Sequence, residues 1–269
     1  MRKIRLLVLL LVMSSVSLSS AQDTTAHRNI LHILQQDIYA TAYDAATLFT
    51  SPLRFHTKDW LITGAVLGGT AAFFPEDESI RDFALRSRTR TLTRMMKIGT
   101  YYGGGSLWRI AGATGYLGGL VLGNEDIRTT GRLVFESGIF AIVVYSNLKR
   151  LFGRSRPYEH EGAFYYRPLQ GLYGSSLPSG HAVISFTLST VLAGRIHCLP
   201  AQAALYGLAG FTSLSRIYVD AHWTSDVVLG SAIGYFLGRA VVEMNETPAG
   251  KRRWELAAAP GGATLVLHF

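Results

Sequence analysis

The chain has 269 residues, of which 48% are hydrophobic and 16% are charged. This composition excludes an intrinsically disordered chain, and the length suits one large domain with small appendages. The single cysteine, Cys198, excludes an internal disulfide framework and multi-cysteine metal sites, and we expect it to be a small buried hydrophobe. The formal net charge is +8, but no zinc-finger, RNP or basic-zipper pattern accompanies it, so we expect no nucleic-acid partner.

The N-terminus has the pattern of an export signal. Basic residues precede an apolar run from Leu6 to Met13, and Ser19 and Ala21 occupy the small positions of a cleavage site. We predict a signal peptide over residues 1–21, with an uncleaved anchor helix as the alternative. The protein is therefore expected to be exported.

The rest of the chain predicts an all-α fold. Apolar residues at helical spacing, among them Ile30 and Ile38, predict an N-terminal amphipathic segment over residues 22–57. Residues 58–245 contain six apolar stretches that are too long for strands and lack period-two alternation: Trp60–Phe74, Leu107–Leu122, Leu133–Leu148, Ala182–Ile196, Ala201–Leu214 and Val227–Val242. We predict a bundle of about six core helices, followed by a short C-terminal hairpin or tail over residues 246–269.

Whether this bundle spans a membrane stays open at this stage. Most of the stretches are shorter than the ~20 residues that a perpendicular span needs. Arg109, Glu136 and Arg239 interrupt three of them, and such charges face either a functional interior or the inside of a soluble protein. The charged residues 76–97 are interpreted as a solvated connector helix.

Three polar clusters stand at the predicted helix ends. Lys149 and Arg156–Pro157, with six residues between Lys149 and Arg156, follow the third stretch, and Pro178–His181 precedes the fourth. Ser215–Arg216 ends the fifth stretch, and His222 and Asp226 lead into the sixth. Clusters at successive helix ends are expected to meet in one site.

The residue types in these clusters suit a phosphorylated ligand. Arg156 and Arg216 offer planar forks of donors that match phosphate oxygens, and Lys149 adds a point charge. Ser179 and Gly180 form a cap-like turn whose hydroxyl and backbone N–H groups can face an anion. We therefore predict an anion cage.

The histidines supply the reactive groups of the predicted site. His222 and Asp226 are four residues apart, so the carboxylate can fix the imidazole tautomer and leave the other ring nitrogen as a nucleophile. His181 can protonate a leaving-group oxygen as general acid.

The pattern K-x6-RP, PSGH and SR-x5-H-x3-D, over about residues 58–243, resembles the type 2 phosphatidic acid phosphatase (PAP2) superfamily. That superfamily includes bacterial class A acid phosphatases and vanadium haloperoxidases. The resemblance implies a phosphohistidine on His222, oriented by Asp226, with His181 as proton donor. It also implies that the phosphoryl oxygens are held, without metal or other cofactor, by Lys149, Arg156, Ser179, Gly180 and Arg216.

Two further features lie near the motifs. Asp220 precedes the histidine of the third motif and is expected to place a negative charge near the nucleophile. Several aromatic and basic residues lie between the first two motifs and predict either a lid over the site or a membrane interface. They are Tyr158, Tyr165, Tyr166, Arg167 and Tyr173.

The expected activity is metal-independent hydrolysis of a lipid phosphate or lipid pyrophosphate at a membrane, and the oligomeric state is not predicted. Alternatives are a nonspecific periplasmic acid phosphatase, a vanadate-dependent haloperoxidase, and a scaffold or transporter that keeps an anion pocket. We expect a membrane-associated or integral membrane protein with an extracytoplasmic active site; a soluble periplasmic protein is the alternative.

Overall fold

The computed structural model of the protein describes residues 30–169 and 175–246, together with the backbone of two strands near the C-terminus. The predicted signal peptide and Tyr173 lie outside these residues. The described helices are α1 (Ile30–Thr50), α2 (Thr57–Phe73), α3 (Asp77–Arg86), α4 (Arg90–Tyr102), α5 (Gly105–Leu122), α6 (Glu125–Phe152), α7 (Gly180–Arg195), α8 (Leu199–Tyr218) and α9 (Thr224–Glu246).

The all-α prediction is confirmed, and each of the six predicted stretches lies largely within one helix. The C-terminal hairpin also forms: β1 (Arg253–Ala259) pairs antiparallel with β2 (Gly262–His268). The connector predicted over residues 76–97 is two helices, α3 and α4, because the chain turns at Ser87–Thr89 and the Thr89 side chain caps α4 by accepting from the Leu92 amide. The domain boundaries stay predictions.

The core lies among α6, α7, α8 and α9, with α7 packed against the other three. Its buried members include Leu133, Val183, Val191 and Val241. Small residues allow the closest approaches, as at Gly131, where an added Cβ would lie 2.1 Å from the Tyr116 backbone nitrogen of α5. This packing holds neighbouring helix ends in fixed positions, which is what the site requires.

Helix α1 packs mainly through its second half. Ile30 and Ile38 are exposed, so the first half presents apolar residues to the surroundings rather than to the bundle. Further along, Asp44 is fully buried and lies 3.3 Å from Arg132 of α6, which also bonds Glu136 at 2.7 Å. A buried ion cluster therefore docks α1 onto α6.

The charges that interrupt the apolar stretches have different surroundings. Glu136 is buried in the ion cluster that docks α1, where it pairs with Arg132. Arg239 is exposed and pairs with Glu243 one helical turn away. The Arg109 guanidinium lies 5.7 Å from the Trp108 ring. Of the three, Glu136 is thus the charge that lies inside the bundle.

One helix of the described part, α9, is long and apolar enough to cross a bilayer, a property that core helices of soluble proteins share. Whether the helices span the membrane or the bundle only associates with its surface stays a prediction. The prediction that Cys198 is buried is wrong: the residue is exposed, because it lies in the turn between α7 and α8 rather than inside a helix.

Candidate active site

The structure brings the predicted site residues to one end of the bundle. Lys149 lies in the last turn of α6 and Arg216 in the last turn of α8. Ser179 is the N-cap of α7. The remaining residues lie in the first turn of α7, in the loops after α6 and α8, and in the first turn of α9: Gly180, His181, Arg156, His222 and Asp226. Ends of neighbouring helices thus meet as the spacing of the motifs predicts.

Cations of the site lower the pKa of both histidines. The cations Lys149, Arg156 and Arg216 all act on His181. Lys149 and Arg156 also act on His222. Lys149 and Arg156 therefore lie within electrostatic range of both histidines.

His222 and Asp226 are joined through a residue that the sequence reasoning missed. The distance from His222 Nδ1 to Asp226 Oδ2 is 3.7 Å, which is longer than a hydrogen bond. The Ser176 hydroxyl lies between them, 3.3 Å from His222 Nδ1, and donates to Asp226 Oδ2. Ser176 lies three residues before Ser179, and no spacing rule singles it out.

Asp226 is fixed by a buried ion network. Arg154 bonds Asp226 Oδ1 at 2.7 Å and Asp77 Oδ2 at 2.7 Å, and all three side chains are fully buried. Ser225 closes the network, since its amide donates to Asp77 Oδ1 at 2.9 Å. The Trp223 amide donates to Asp226 Oδ2 at 2.9 Å. The carboxylate is therefore held from both sides, and α3 supplies part of the support.

Lys149 is buried beside other cations. Its Nζ donates to the carbonyls of Ser175 at 2.6 Å and Ser176 at 3.2 Å. Burial, reinforced by Arg156, lowers the pKa of Lys149 to about 7. Near neutral pH this lysine can therefore gain a proton when an anion arrives.

Several buried donors point to an anion. Within the described residues, Arg156 Nε, Arg216 Nε and Ser179 Oγ are buried without a hydrogen-bond partner. Buried polar groups are nearly always paired, so such a cluster marks a ligand position. Gly180 packs closely against Tyr145, because a Cβ at position 180 would lie 3.3 Å from the Tyr145 ring. Donors from three elements fit phosphoryl oxygens.

Both histidines are neutral in the protein without ligand. Burial, reinforced by Arg216, Arg156 and Lys149, lowers the pKa of His181 to about 3. Burial also lowers the pKa of His222 to about 3, although Asp226 opposes this shift. A neutral imidazole suits a nucleophile, whereas a proton donor must first acquire its proton.

The expectation for Asp220 needs correction. Its carboxylate is held by Arg81 through two hydrogen bonds of 2.6 and 2.8 Å, so its charge is compensated rather than directed at His222. Arg81 lies in α3, within the segment interpreted as a solvated connector. That interpretation is wrong for Asp77 and Arg81, because both pair with residues of the site region.

The aromatic segment after α6 lies beside the cage. The Arg156 guanidinium is 5.7 Å from the Tyr158 ring, and the Arg167 guanidinium is 4.9 Å from the Tyr165 ring. Tyr166 lies 5.9 Å from the Arg154 guanidinium. These contacts suit a lid and a membrane interface equally, so both stay predictions.

Residues 132–248 match the model of the PAP2 superfamily. A lipid A 1-phosphatase from Rhizobium etli is 32% identical over 108 residues, which cover 39% of this chain and 45% of that protein. One from Porphyromonas gingivalis is 34% identical over 92 residues, which cover 34% of this chain and 18% of that protein. The chain thus spans less than half the length of these curated relatives.

Two solved structures are also similar. The first is LpxE of Aquifex aeolicus, 22% identical, with a TM-score of 0.49 over 62% of this chain and 94% of that one. The second is the first transmembrane PAP2 type phosphatidylglycerolphosphate phosphatase from Bacillus subtilis, 20% identical, with a TM-score of 0.47 over 79% of this chain and 95% of that one. The match over residues 132–248 includes every predicted site residue from Lys149 to Asp226 and confirms the resemblance to the PAP2 superfamily.

Proposed function

We propose that the protein is a metal-independent phosphatase that removes a phosphoryl group from a lipid phosphate or lipid pyrophosphate. The observation that carries this proposal is that Arg156 Nε, Arg216 Nε and Ser179 Oγ are buried without a hydrogen-bond partner among the described residues. Lys149 and Arg156 act on both histidines, and Arg216 also acts on His181. Three cations can stabilise the charge that develops on a transferring phosphoryl group. Among the described residues no group of three or more His, Cys, Asp or Glu could hold a metal ion.

The proposed mechanism uses the two histidines in sequence. His222 Nε2 attacks phosphorus, and a bond forms there as the bond to the leaving oxygen breaks. The bound phosphate raises the pKa of His181, which takes up a proton as the substrate binds. His181 then gives that proton to the leaving oxygen, so the alcohol or phosphate leaves protonated. Water then attacks phosphorus, the bond from phosphorus to His222 Nε2 breaks, and His181 accepts a proton from the water, so phosphate and free His222 are released. The phosphoryl oxygens are held throughout by Lys149, Arg156, Ser179, Gly180 and Arg216.

A lipid substrate is supported by the apolar surface. Helix α2 is exposed on nearly all sides, and its exposed residues include Trp60, Leu61 and Leu67. A helix that is apolar all round normally lies in a protein core or in lipid. The names of the lipid A 1-phosphatase relatives support the same class. Candidate substrates are phosphatidate, phosphatidylglycerophosphate, undecaprenyl pyrophosphate and lipid A phosphate.

The proposed location is membrane-associated, with the active site on the extracytoplasmic side. The export pattern of residues 1–21 supports this side, although that segment lies outside the described residues. Reaction with substrate added outside intact spheroplasts, compared with permeabilised ones, tests the orientation.

A phosphate-release screen over these lipids, run with and without a chelator, tests the proposed function. We expect at least one lipid to be hydrolysed and the rate to stay within about twofold when chelator is present, because the cage supplies the positive charge. Activity that vanishes with chelator contradicts the metal-free cage. Activity found wholly in a detergent-free soluble fraction supports the acid-phosphatase alternative, and vanadate-dependent halide oxidation without phosphate release supports the haloperoxidase.

Anion binding is expected to take up protons above neutral pH. The negative ligand raises the pKa of Lys149 from about 7, so the bound state holds a proton that the ligand-free state has partly lost. The affinity for sulfate, which stays a dianion, should therefore fall by up to about tenfold per pH unit above pH 7. Calorimetry between pH 7 and 9 measures this slope.

The matched variant for this measurement is Lys149→Arg. Arginine keeps its proton over the whole range, so the slope should disappear while sulfate still binds. A wild-type affinity that is independent of pH between 7 and 9 contradicts the proton uptake.

A further inference from the structure

The Ser176 hydroxyl occupies a fixed place between the two halves of the proposed dyad. Ser176 is fully buried. Its amide donates to the Arg154 carbonyl at 2.7 Å, and its carbonyl accepts from Lys149 Nζ at 3.2 Å. The backbone of Ser176 is therefore held at its amide by Arg154 and at its carbonyl by Lys149. From this backbone position the Ser176 hydroxyl contacts both Asp226 and His222.

The direct contact between the dyad members is too long to replace this bridge. His222 Nδ1 lies 3.7 Å from Asp226 Oδ2, whereas Ser176 Oγ lies 3.3 Å from the same nitrogen. Asp226 cannot move closer, because Arg154 holds one of its oxygens and the Trp223 amide donates to the other at 2.9 Å. The carboxylate therefore reaches the imidazole through the hydroxyl.

The proton count of the bridge fixes the histidine tautomer. A hydroxyl has one proton, and that of Ser176 is donated to Asp226 Oδ2. Towards His222, Ser176 Oγ can then only accept, so Nδ1 must carry the ring proton and Nε2 must carry the lone pair. We infer that Ser176 is a positioning residue that sets the reactive tautomer of His222 on behalf of Asp226. This inference rests on the proposed role of His222 as nucleophile.

The bridge is compatible with the balance of the proposed reaction. As the bond from Nε2 to phosphorus forms, the ring becomes positive while Nδ1 keeps its proton. The leaving oxygen takes its proton from His181, so no proton moves along Ser176. The Ser176 hydroxyl is oriented by its hydrogen bond to Asp226, and its oxygen stabilises the positive imidazolium without transferring a proton. Its loss should therefore slow the chemical step more than it weakens substrate binding.

The kinetic test compares Ser176→Ala with Ser176→Thr. Ser176→Ala should lower kcat about 10- to 100-fold, in the range of losses seen for groups that orient another functional residue, with KM changed less than about threefold. Ser176→Thr keeps a hydroxyl and should restore most of the rate. Ser137→Ala is the matched control, because Ser137 is also buried but bonds a carbonyl of its own helix, α6. Sulfate affinity, measured for every variant, reports whether the cage is intact.

The outcomes separate this inference from the proposed function. Unchanged kcat in Ser176→Ala, or a Ser176→Thr variant that binds sulfate and is equally slow, overturns the inference. Nitrogen-15 NMR of histidine-labelled protein, assigned against His222→Ala, reads the tautomer without turnover. The expected wild-type spectrum has the proton on Nδ1; a proton on Nε2 overturns the inference. If wild-type protein hydrolyses no lipid phosphate, the proposed function fails while the NMR result still decides the role of Ser176.

Discussion

His222→Ala should lower phosphate release from the preferred lipid by about 10³- to 10⁶-fold, the range seen when a catalytic nucleophile is removed. The imidazole supplies the proposed nucleophile, and no other described side chain occupies its position between Ser176 and the cations. The cage itself is left in place, since none of its donors belongs to His222. The loss should appear in kcat, measured by steady-state phosphate release in detergent micelles.

The control for this substitution is His197→Ala. His197 is an exposed histidine between α7 and α8, at the end of α7 opposite His181, and its removal should leave kcat within about twofold because surface substitutions are usually small in effect. Rapid quenching with ³²P-labelled substrate should trap a covalent label on wild-type protein and on His197→Ala, but not on His222→Ala. If His222→Ala hydrolyses as fast as wild type, the proposed mechanism is wrong.

Much of this site could be predicted because its residues lie at helix ends. Apolar length and periodicity predict the helices, and polar residues at their ends predict where side chains can meet. Lys149 lies in the last turn of α6 and Arg156 in the loop that follows, for example, so local spacing places two cations that both act on His222. The sequence could therefore predict the cage and the two histidines as one group.

The supporting residues could not be predicted in the same way. Asp77 and Arg154 are 77 residues apart, and Ser176 and Asp226 are 50 apart, so no local spacing relates them. Charged residues in a polar segment are usually solvated, which made Asp77 look like part of a connector. Its burial depends on a partner, Arg154, that only the tertiary fold provides. The expectation that Asp220 places a negative charge near the nucleophile fails for the same reason, because its partner Arg81 lies in α3, far away in the sequence.

Arg154→Met should destabilise the protein by about 3–5 kcal/mol, the usual effect of breaking a buried ion pair from one side. The guanidinium joins Asp77 and Asp226, and its Nε also donates to the Ala163 carbonyl at 2.8 Å. Methionine has similar length but leaves two buried carboxylates without their cation. For a chain of this size each kcal/mol shifts Tm by about 2–4 °C, so thermal unfolding in detergent should show the loss clearly.

Arg239→Met is the matched control for Arg154→Met. Arg239 and its partner Glu243 are both more than half exposed, and an exposed pair one helical turn apart contributes only about 0.3–0.5 kcal/mol. The decrease in Tm for Arg154→Lys should lie between those for Arg154→Met and Arg239→Met. Lysine keeps the charge but cannot bond both carboxylates with a planar fork. If Arg154→Met and Arg239→Met shift Tm equally, the buried network does not stabilise Asp226 as described. A large shift confined to Arg154 means that the buried network, which includes Asp77 of α3, helps to hold Asp226, the residue proposed to orient His222.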